Sequence, residues 1–188
     1  NPRGSQSYGQ EFASACSGDW GGSDFKDIMA GVDHAVSIGV SDPANLLVTG
    51  WSFGGYMTSW TVTQTNRFRA AIAGAIISSF YSMWGTSDIP YFCEHEFGGL
   101  PWETSERYYE RSPISFVTNV ETPIMFIHGE GDLRCPVSES EEMYLSLKRL
   151  GKTTVLIRYP DQFHIFSRPH HKFDRYERMI AWFDYYKG

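Results

Sequence analysis

The sequence predicts an α/β fold in which a mostly parallel sheet carries helices on both faces. Four short apolar runs alternate along the chain with segments of helical periodicity. Each run is continuously apolar and bounded by turn residues, as expected for strands buried on both faces. Parallel neighbours need crossover connections, which the intervening helices supply. We therefore expect one α/β domain over residues 1–188.

The first part of the chain predicts a loop, a helix, a strand and a second helix. Glycines and polar residues without a regular period occupy residues 1–22, which indicates a loop. From Ser23, apolar residues recur at the spacing of an amphipathic helix, and Gly39 follows where such a helix would end. Leu46 to Thr49 has the length of a strand, and the absence of Gly and Pro from Tyr56 to Thr65 favours a helix.

The second part repeats this alternation. Further strands are predicted at residues 70–77, 123–128 and 153–159. Between the last two, residues 138–141 read Ser-Glu-Ser-Glu, a pattern typical of a capping box, and predict a helix that ends at Gly151. Apolar and aromatic residues at helical spacing over 173–183 predict a closing helix.

Residues 79–111 interrupt the alternation with an aromatic-rich segment. Two interpretations stay open. The aromatic rings either form a lid or wall around a substrate, or fill a peripheral core, since such rings carry large packing energies wherever they lie. For the first interpretation, Tyr81 and Trp84 are the candidate substrate-binding residues.

Composition makes several classes of function improbable. The net charge is −6 and no cluster of Lys or Arg stands out, so we expect no nucleic-acid partner. No apolar run approaches the ~18 residues of a membrane span, so we expect no membrane association. Three widely spaced cysteines without a C-x-x-C pair predict free thiols in a reducing compartment, hence a cytoplasmic location. The segment Cys93-Glu94-His95-Glu96 has no second cluster at ligand spacing, and we interpret it as a solvated loop and predict no metal or cofactor.

A candidate nucleophile lies between the first predicted strand and the following helix. Residues 50–54 read Gly-Trp-Ser-Phe-Gly, a G-x-S-x-G motif that chance could also supply in a glycine-rich loop. The strand–turn–helix setting favours the functional interpretation, because such a turn lifts the Ser52 hydroxyl above the sheet. The same turn directs the backbone N–H of Phe53 toward a developing oxyanion at a helix start.

A serine nucleophile requires a histidine base and a carboxylate that orients it. Asp132 follows the third predicted strand and His164 follows the fourth, so both lie where the sites of open α/β sheets gather. We predict Asp132 as the acid, with Glu130 as its alternative. For the base, His164 is favoured.

Three other histidines are weaker candidates for the base. His170 and His171 lie nearer the closing helix than the end of the fourth strand. His128 is flanked by apolar residues at a strand end, which indicates a packed, hydrogen-bonded side chain rather than a catalyst.

Residues 50–57, Gly-Trp-Ser-Phe-Gly-Gly-Tyr-Met, resemble the nucleophile elbow of the prolyl oligopeptidase family of serine peptidases, and the acylaminoacyl-peptidase-like branch fits best. Further matches are Asn1 to Ser5 with Tyr8-Gly9, Gly18 to Gly21 leading to Asp27, Ser112-Pro113-Ile114, and His128 to Asp132 with Arg134 and Pro136. The resemblance runs nearly end to end. It implies an α/β-hydrolase fold, a catalytic triad of Ser52, Asp132 and His164, a short peptide or acyl substrate, and no cofactor.

The sequence also departs from the family pattern. Ile165 stands where a glycine usually follows the catalytic histidine, and we expect it to crowd that turn. The family's catalytic domain begins upstream with further strands and a loop that donates the second oxyanion hydrogen bond, and its β-propeller is not found here. We therefore expect a sheet that lacks its first strands and is completed by an N-terminal segment or by a second copy.

The expected function is that of a serine peptidase acting through an acyl-enzyme intermediate. Two alternatives stay open at this stage. One is an esterase of small acyl esters that uses the same three residues. The other is a catalytically silent, hydrolase-like fragment that acts by association.

Overall fold

The computed structural model describes residues 1–188, and its centre is a four-stranded parallel sheet. The strands are β1 (Leu47–Trp51), β2 (Ala70–Gly74), β3 (Ile124–Gly129) and β4 (Thr154–Tyr159). They lie in the order β1-β2-β3-β4, so that each strand pairs with the one before it in the chain. The predicted α/β class is confirmed, with β1 and β4 at the two edges.

Helices connect and flank these strands. They are α1 (Gln10–Ser14), α2 (Ser23–Ser37), α3 (Phe53–Gln64), α4 (Phe80–Thr86), α5 (Pro90–Phe97), α6 (Ser105–Glu110), a 3₁₀ helix (Pro113–Asn119), α7 (Val137–Arg149) and α8 (Pro169–Tyr186). Every step from one strand to the next passes through at least one helix, as parallel pairing requires.

The two faces of the sheet are covered by different helices. Successive side chains of a strand point to opposite faces. Phe126 of β3 packs with Val62 of α3 and Met143 of α7 in one cluster. Its neighbour Met125 belongs to a second cluster, against which Trp182 of α8 packs. The prediction of helices on both faces is therefore confirmed.

Several element boundaries differ from the prediction. Residues 10–14 form the short helix α1 within the predicted loop. Strand β1 continues through Trp51, and α3 begins at Phe53 rather than Tyr56. Strand β2 ends at Gly74, three residues earlier than expected, because Ala75 adopts a left-handed φ of 45° that turns the chain out of the sheet.

The predicted capping box is wrong. Helix α7 begins at Val137, and no side chain caps its N-terminus. Glu141, the acidic residue of the predicted box, pairs with Arg158 of β4 instead. The nearby carboxylate of Glu139 accepts the backbone N–H groups of Ser78 and Ser79, both at 2.9 Å, just before α4. This side chain is fully buried, and burial raises the pKa of its carboxyl. Both glutamates of this segment therefore make contacts outside α7 rather than a local cap.

The aromatic segment folds into the three short helices α4 to α6. Phe80, Phe97 and Tyr108 are fully buried and join a cluster with Tyr56 of α3, so these rings do fill a peripheral core. Four other aromatic side chains of the segment are exposed, namely Tyr81, Tyr91, Trp102 and Tyr109.

The three cysteines are unpaired, as predicted, and all three are buried. None of the α-helices combines the length and the apolar character that a bilayer crossing requires.

The close contact between α3 and β2 yields a stability prediction. A Cβ atom at Gly55 would lie 2.1 Å from the carbonyl oxygen of Gly74, whereas a Cβ at Gly31, inside α2, would meet nothing within 4 Å. We expect Gly55→Ala to lower the free energy of unfolding by about 1–3 kcal/mol through overpacking. The matched variant Gly31→Ala should raise it by about 0.5–1 kcal/mol, because alanine favours a helix interior. Urea unfolding checks both, and equal effects of the two variants would contradict the steric argument.

Candidate active site

The site begins at the sharp turn between β1 and α3. Ser52 adopts φ 60° and ψ −121°, a backbone conformation that is strained for any residue except glycine. Two hydrogen bonds hold the turn: the Ser52 N–H donates to the Gly74 carbonyl at 3.0 Å, and the Ser52 carbonyl accepts from the Tyr56 N–H at 2.9 Å. Gly50 is required here, since a Cβ at this position would lie 2.2 Å from the carbonyl oxygen of Gly54.

The structure brings the three predicted residues of the site together. The Ser52 Oγ lies 2.8 Å from His164 Nε2, and His164 Nδ1 lies 2.8 Å from Asp132 Oδ2. An ionised carboxylate only accepts hydrogen bonds, so Nδ1 carries the proton that faces Asp132. The lone pair of Nε2 is then free to accept the hydroxyl proton of Ser52, which is the arrangement that general-base activation requires.

Asp132 is held as a buried anion. Its Oδ1 accepts the backbone N–H groups of Arg134 at 2.9 Å and Cys135 at 3.0 Å. Burial by itself would raise the pKa of this carboxyl, but the hydrogen bonds of His128, His164 and the Cys135 N–H outweigh burial and lower the pKa to about 2. The carboxylate therefore stays charged near neutral pH.

The loop that carries His164 lies between β4 and α8 and is anchored by two side chains that sequence reasoning missed. The indole Nε1 of Trp51 donates to the His164 carbonyl at 2.9 Å. Gln162 is fully buried, and its Oε1 accepts the Ser167 N–H at 2.9 Å. The Gln162 carbonyl accepts the Gly131 N–H at 2.8 Å, which joins this loop to the one that carries Asp132. Neither side chain carries a local sequence signal beyond its position beside the motif residues.

Phe53 is the first residue of α3, directly after the serine. The N–H groups of a first helical turn have no acceptor within the helix, and the helix dipole favours negative charge there. The Phe53 ring packs edge-on against Trp20, with ring centroids 4.7 Å apart. Together with Glu96, these two rings line a cavity of about 460 Å³ beside the serine turn.

Tyr81 and Trp84 do not line the cavity beside Phe53. Tyr81 is exposed and lies along a separate groove. The Trp84 Nε1 donates to Glu94 at 2.9 Å, and its ring packs edge-on against Trp102 at 5.2 Å. Their assignment to substrate binding stays a prediction.

The alternative acid and bases lie elsewhere. Glu130 forms an exposed ion pair with Arg158 at 3.0 Å. His170 and His171 lie in the first turn of α8, where their rings contact each other with centroids 4.2 Å apart. The Ser52 hydroxyl contacts only the imidazole of His164 among the histidines.

Two expectations about neighbouring residues are wrong. Cys93 to Glu96 lie in helix α5 rather than in a solvated loop, and their side chains divide among separate contacts. Cys93 is buried in the aromatic core, while Glu96 accepts the Gly18 N–H at 3.3 Å. Ile165 does not crowd the turn after His164, because its side chain is 81% exposed.

Comparison with known proteins assigns the chain to a family. The sequence profile described as the prolyl oligopeptidase family matches residues 1–188. The chain belongs to the prolyl oligopeptidase family. The uncharacterized peptidase YuxL of Bacillus subtilis is 45% identical over 193 residues, which cover 98% of this chain and 29% of YuxL. The acylamino-acid-releasing enzyme of Arabidopsis thaliana is 33% identical, with 99% of this chain and 26% of that enzyme covered.

Solved structures agree with this assignment to the prolyl oligopeptidase family. Pyrococcus horikoshii acylaminoacyl peptidase superposes with a TM-score of 0.95 at 34% identity, over 98% of this chain and 31% of that one. The α/β-hydrolase fold implied by the sequence is thereby confirmed. The chain spans between a quarter and a third of the length of these relatives.

The indole contact to the His164 loop generates a second prediction. Trp51→Phe removes the N–H that donates to the His164 carbonyl but keeps an aromatic ring in place. Loss of one such bond should slow modification of Ser52 by a fluorophosphonate about two- to tenfold. The matched variant Trp102→Phe, at an exposed position, should react like the unmodified protein. If Trp51→Phe reacts with the fluorophosphonate as fast as the protein without substitutions, Trp51 does not anchor the His164 loop.

Proposed function

We propose that this protein is a serine peptidase that hydrolyses peptide or acylaminoacyl bonds through an acyl-enzyme intermediate. The observation that carries the proposal is the continuous hydrogen-bonded chain from Ser52 through His164 to Asp132, at 2.8 Å for each contact. Membership of the prolyl oligopeptidase family supports the reaction class.

In the proposed reaction, His164 Nε2 accepts the hydroxyl proton as Ser52 Oγ attacks the substrate carbonyl carbon. The carbonyl oxygen becomes an oxyanion, and the Phe53 N–H is positioned to donate to it. The intermediate collapses when the imidazolium gives its proton to the leaving nitrogen, which leaves an ester on Ser52. A water molecule then attacks this ester while His164 accepts a proton from the water. The bond between the acyl carbon and Ser52 Oγ breaks, His164 returns the proton to Oγ, and the acyl product leaves as a carboxylic acid. Asp132 stabilises the imidazolium in both halves of the reaction.

The substrate class is proposed from the relatives. The Arabidopsis relative is named an acylamino-acid-releasing enzyme, and the Pyrococcus structure is named an acylaminoacyl peptidase. Phe53, the residue directly after Ser52, lines a cavity together with Trp20, and these two rings would offer aromatic walls to the acyl part of such a substrate.

We propose that a group outside these 188 residues supplies a second oxyanion donor. Loss of one such donor costs about a hundred- to a thousandfold in turnover, so the Phe53 N–H alone would leave the reaction slow. The donor would come from a further segment of the protein or from a second copy. Strand β1, which leads into the serine turn, is an edge strand of the sheet, so a further segment would have room to pair beside it.

The proposal is tested by the mass of the intact protein after treatment with a fluorophosphonate. We expect one adduct on the unmodified protein and none on Ser52→Ala. The control Ser37→Ala, which removes an exposed hydroxyl of α2 bonded to the His34 carbonyl, should keep the adduct.

Absence of an adduct on a folded protein would contradict an activated Ser52 and favour the silent-fragment alternative. If the adduct forms, paired acyl-peptide and acyl-ester substrates separate the peptidase from the esterase, and hydrolysis of the ester alone would overturn the peptidase assignment.

The proposed roles of His164 and Asp132 predict how kcat/KM depends on pH. The base acts only while Nε2 is unprotonated, so kcat/KM should fall as the pH is lowered from neutrality. Asp132 stays ionised over this range because its pKa is about 2, so it contributes nothing to the fall. A pH profile of kcat/KM checks this, and a profile without any loss on the acid side would count against His164 as base.

A further inference from the structure

A second histidine contacts the buried carboxylate of the site. His128 lies in β3 and is fully buried. Its Nε2 is 2.7 Å from the Cys135 carbonyl oxygen and 3.5 Å from Asp132 Oδ2. Its Nδ1 is 2.6 Å from the Ser140 hydroxyl, in the first turn of α7. The reaction described above assigns no role to this side chain.

The partners of His128 fix which nitrogen carries a hydrogen. A carbonyl oxygen only accepts hydrogen bonds, so Nε2 must carry the hydrogen that faces Cys135. The Asp132 carboxylate lies beside the same nitrogen, with Oδ2 at 3.5 Å from Nε2. The Ser140 hydroxyl donates a hydrogen bond to Nδ1, and this bond fixes the orientation of the ring.

These contacts close the turn that holds the carboxylate. Asp132 Oδ1 accepts the N–H groups of Arg134 and Cys135, and the Cys135 carbonyl in turn accepts from His128. Asp132 Oδ2 is left to face two imidazoles, His164 at 2.8 Å and His128 at 3.5 Å. A buried carboxylate is costly unless polar groups surround it, and the His128 imidazole is one of these groups.

We propose that His128 is a positioning residue that holds the Asp132 carboxylate, and the turn beneath it, in the orientation that His164 requires. The inference rests on the proposed function, since His128 acts on the reaction only through Asp132. Its loss should therefore slow the chemical step and leave substrate binding unchanged.

Two substitutions separate this role from simple packing. His128→Gln keeps an amide N–H near the position of Nε2, whereas His128→Met fills the buried site without any donor. We expect His128→Met to lower kcat and the rate of fluorophosphonate labelling about ten- to a hundredfold, the loss typical of a hydrogen bond to a charged group, with KM unchanged. His128→Gln should recover most of that rate.

Met143→Ala is the stability control. Met143 is fully buried on α7 and packs in the cluster of Phe126, away from the carboxylate. This variant should lower the thermal midpoint without slowing the labelling of Ser52. The proposal would be overturned if the labelling rate fell in proportion to the thermal midpoint across all variants. It would also be overturned if His128→Met and His128→Gln lost the same share of the labelling rate. A His128→Met protein that labels at the unmodified rate would overturn it too.

A second readout does not depend on turnover. The proton shared by His164 Nδ1 and Asp132 should give a low-field ¹H NMR resonance, which we expect to shift or broaden in His128→Met and to persist in His128→Gln. An unchanged resonance in His128→Met would overturn the proposal. If the unmodified protein fails to label, the proposed function falls, and this resonance alone decides the role of His128.

If His128→Met does not fold, Ser140→Ala replaces it as the test variant. This variant keeps the imidazole but removes the hydroxyl that orients it, and we expect a few-fold loss of labelling rate with KM unchanged. A Ser140→Ala protein with the unmodified rate and an unchanged low-field resonance would overturn the proposal.

Discussion

The close approach of α3 to the sheet is the constraint on which the site depends. Strand β1 ends at Trp51 and α3 begins at Phe53, which leaves a single residue for the turn. Such a turn requires glycine on both sides, because a Cβ at Gly50 or Gly55 would lie within 2.2 Å of a backbone carbonyl oxygen. The strained backbone of Ser52 and the free N–H at the start of α3 both result from this geometry.

The parallel sheet explains why distant residues meet at this turn. Strands β3 and β4 are in register through Gly129 and Tyr159, so the loops that follow them leave the sheet at the same level. One loop carries Asp132 and the other carries His164. A bond from the Gly131 N–H to the Gln162 carbonyl then ties the two loops together. The carboxylate can remain buried and charged because backbone N–H groups of its own turn, together with imidazole groups, surround it.

Sequence periodicity predicted the four strands and the main helices, because these features are encoded locally. The G-x-S-x-G motif, the order of candidate residues on successive strand ends and the family resemblance predicted the three residues that meet at the site. What these patterns missed depends on contacts between distant segments. Glu141 fitted a capping box but pairs with Arg158 of β4, which adjoins it only in the folded chain. The early end of β2 depends on a left-handed Ala75, a residue type that gives no such signal. The hydrogen bond from the Trp51 indole to the His164 carbonyl joins two residues that are 113 positions apart in the sequence.

The sequential strand order has a consequence for synthesis on the ribosome. Because each strand adds to the edge formed by the previous one, a chain that emerges N-terminus first can extend its sheet in the order of translation. The serine turn lies between the first two strands, but its histidine partner follows 112 residues later, after the last strand. A nascent chain thus carries Ser52 without its imidazole partner until the segment that contains His164 has been translated.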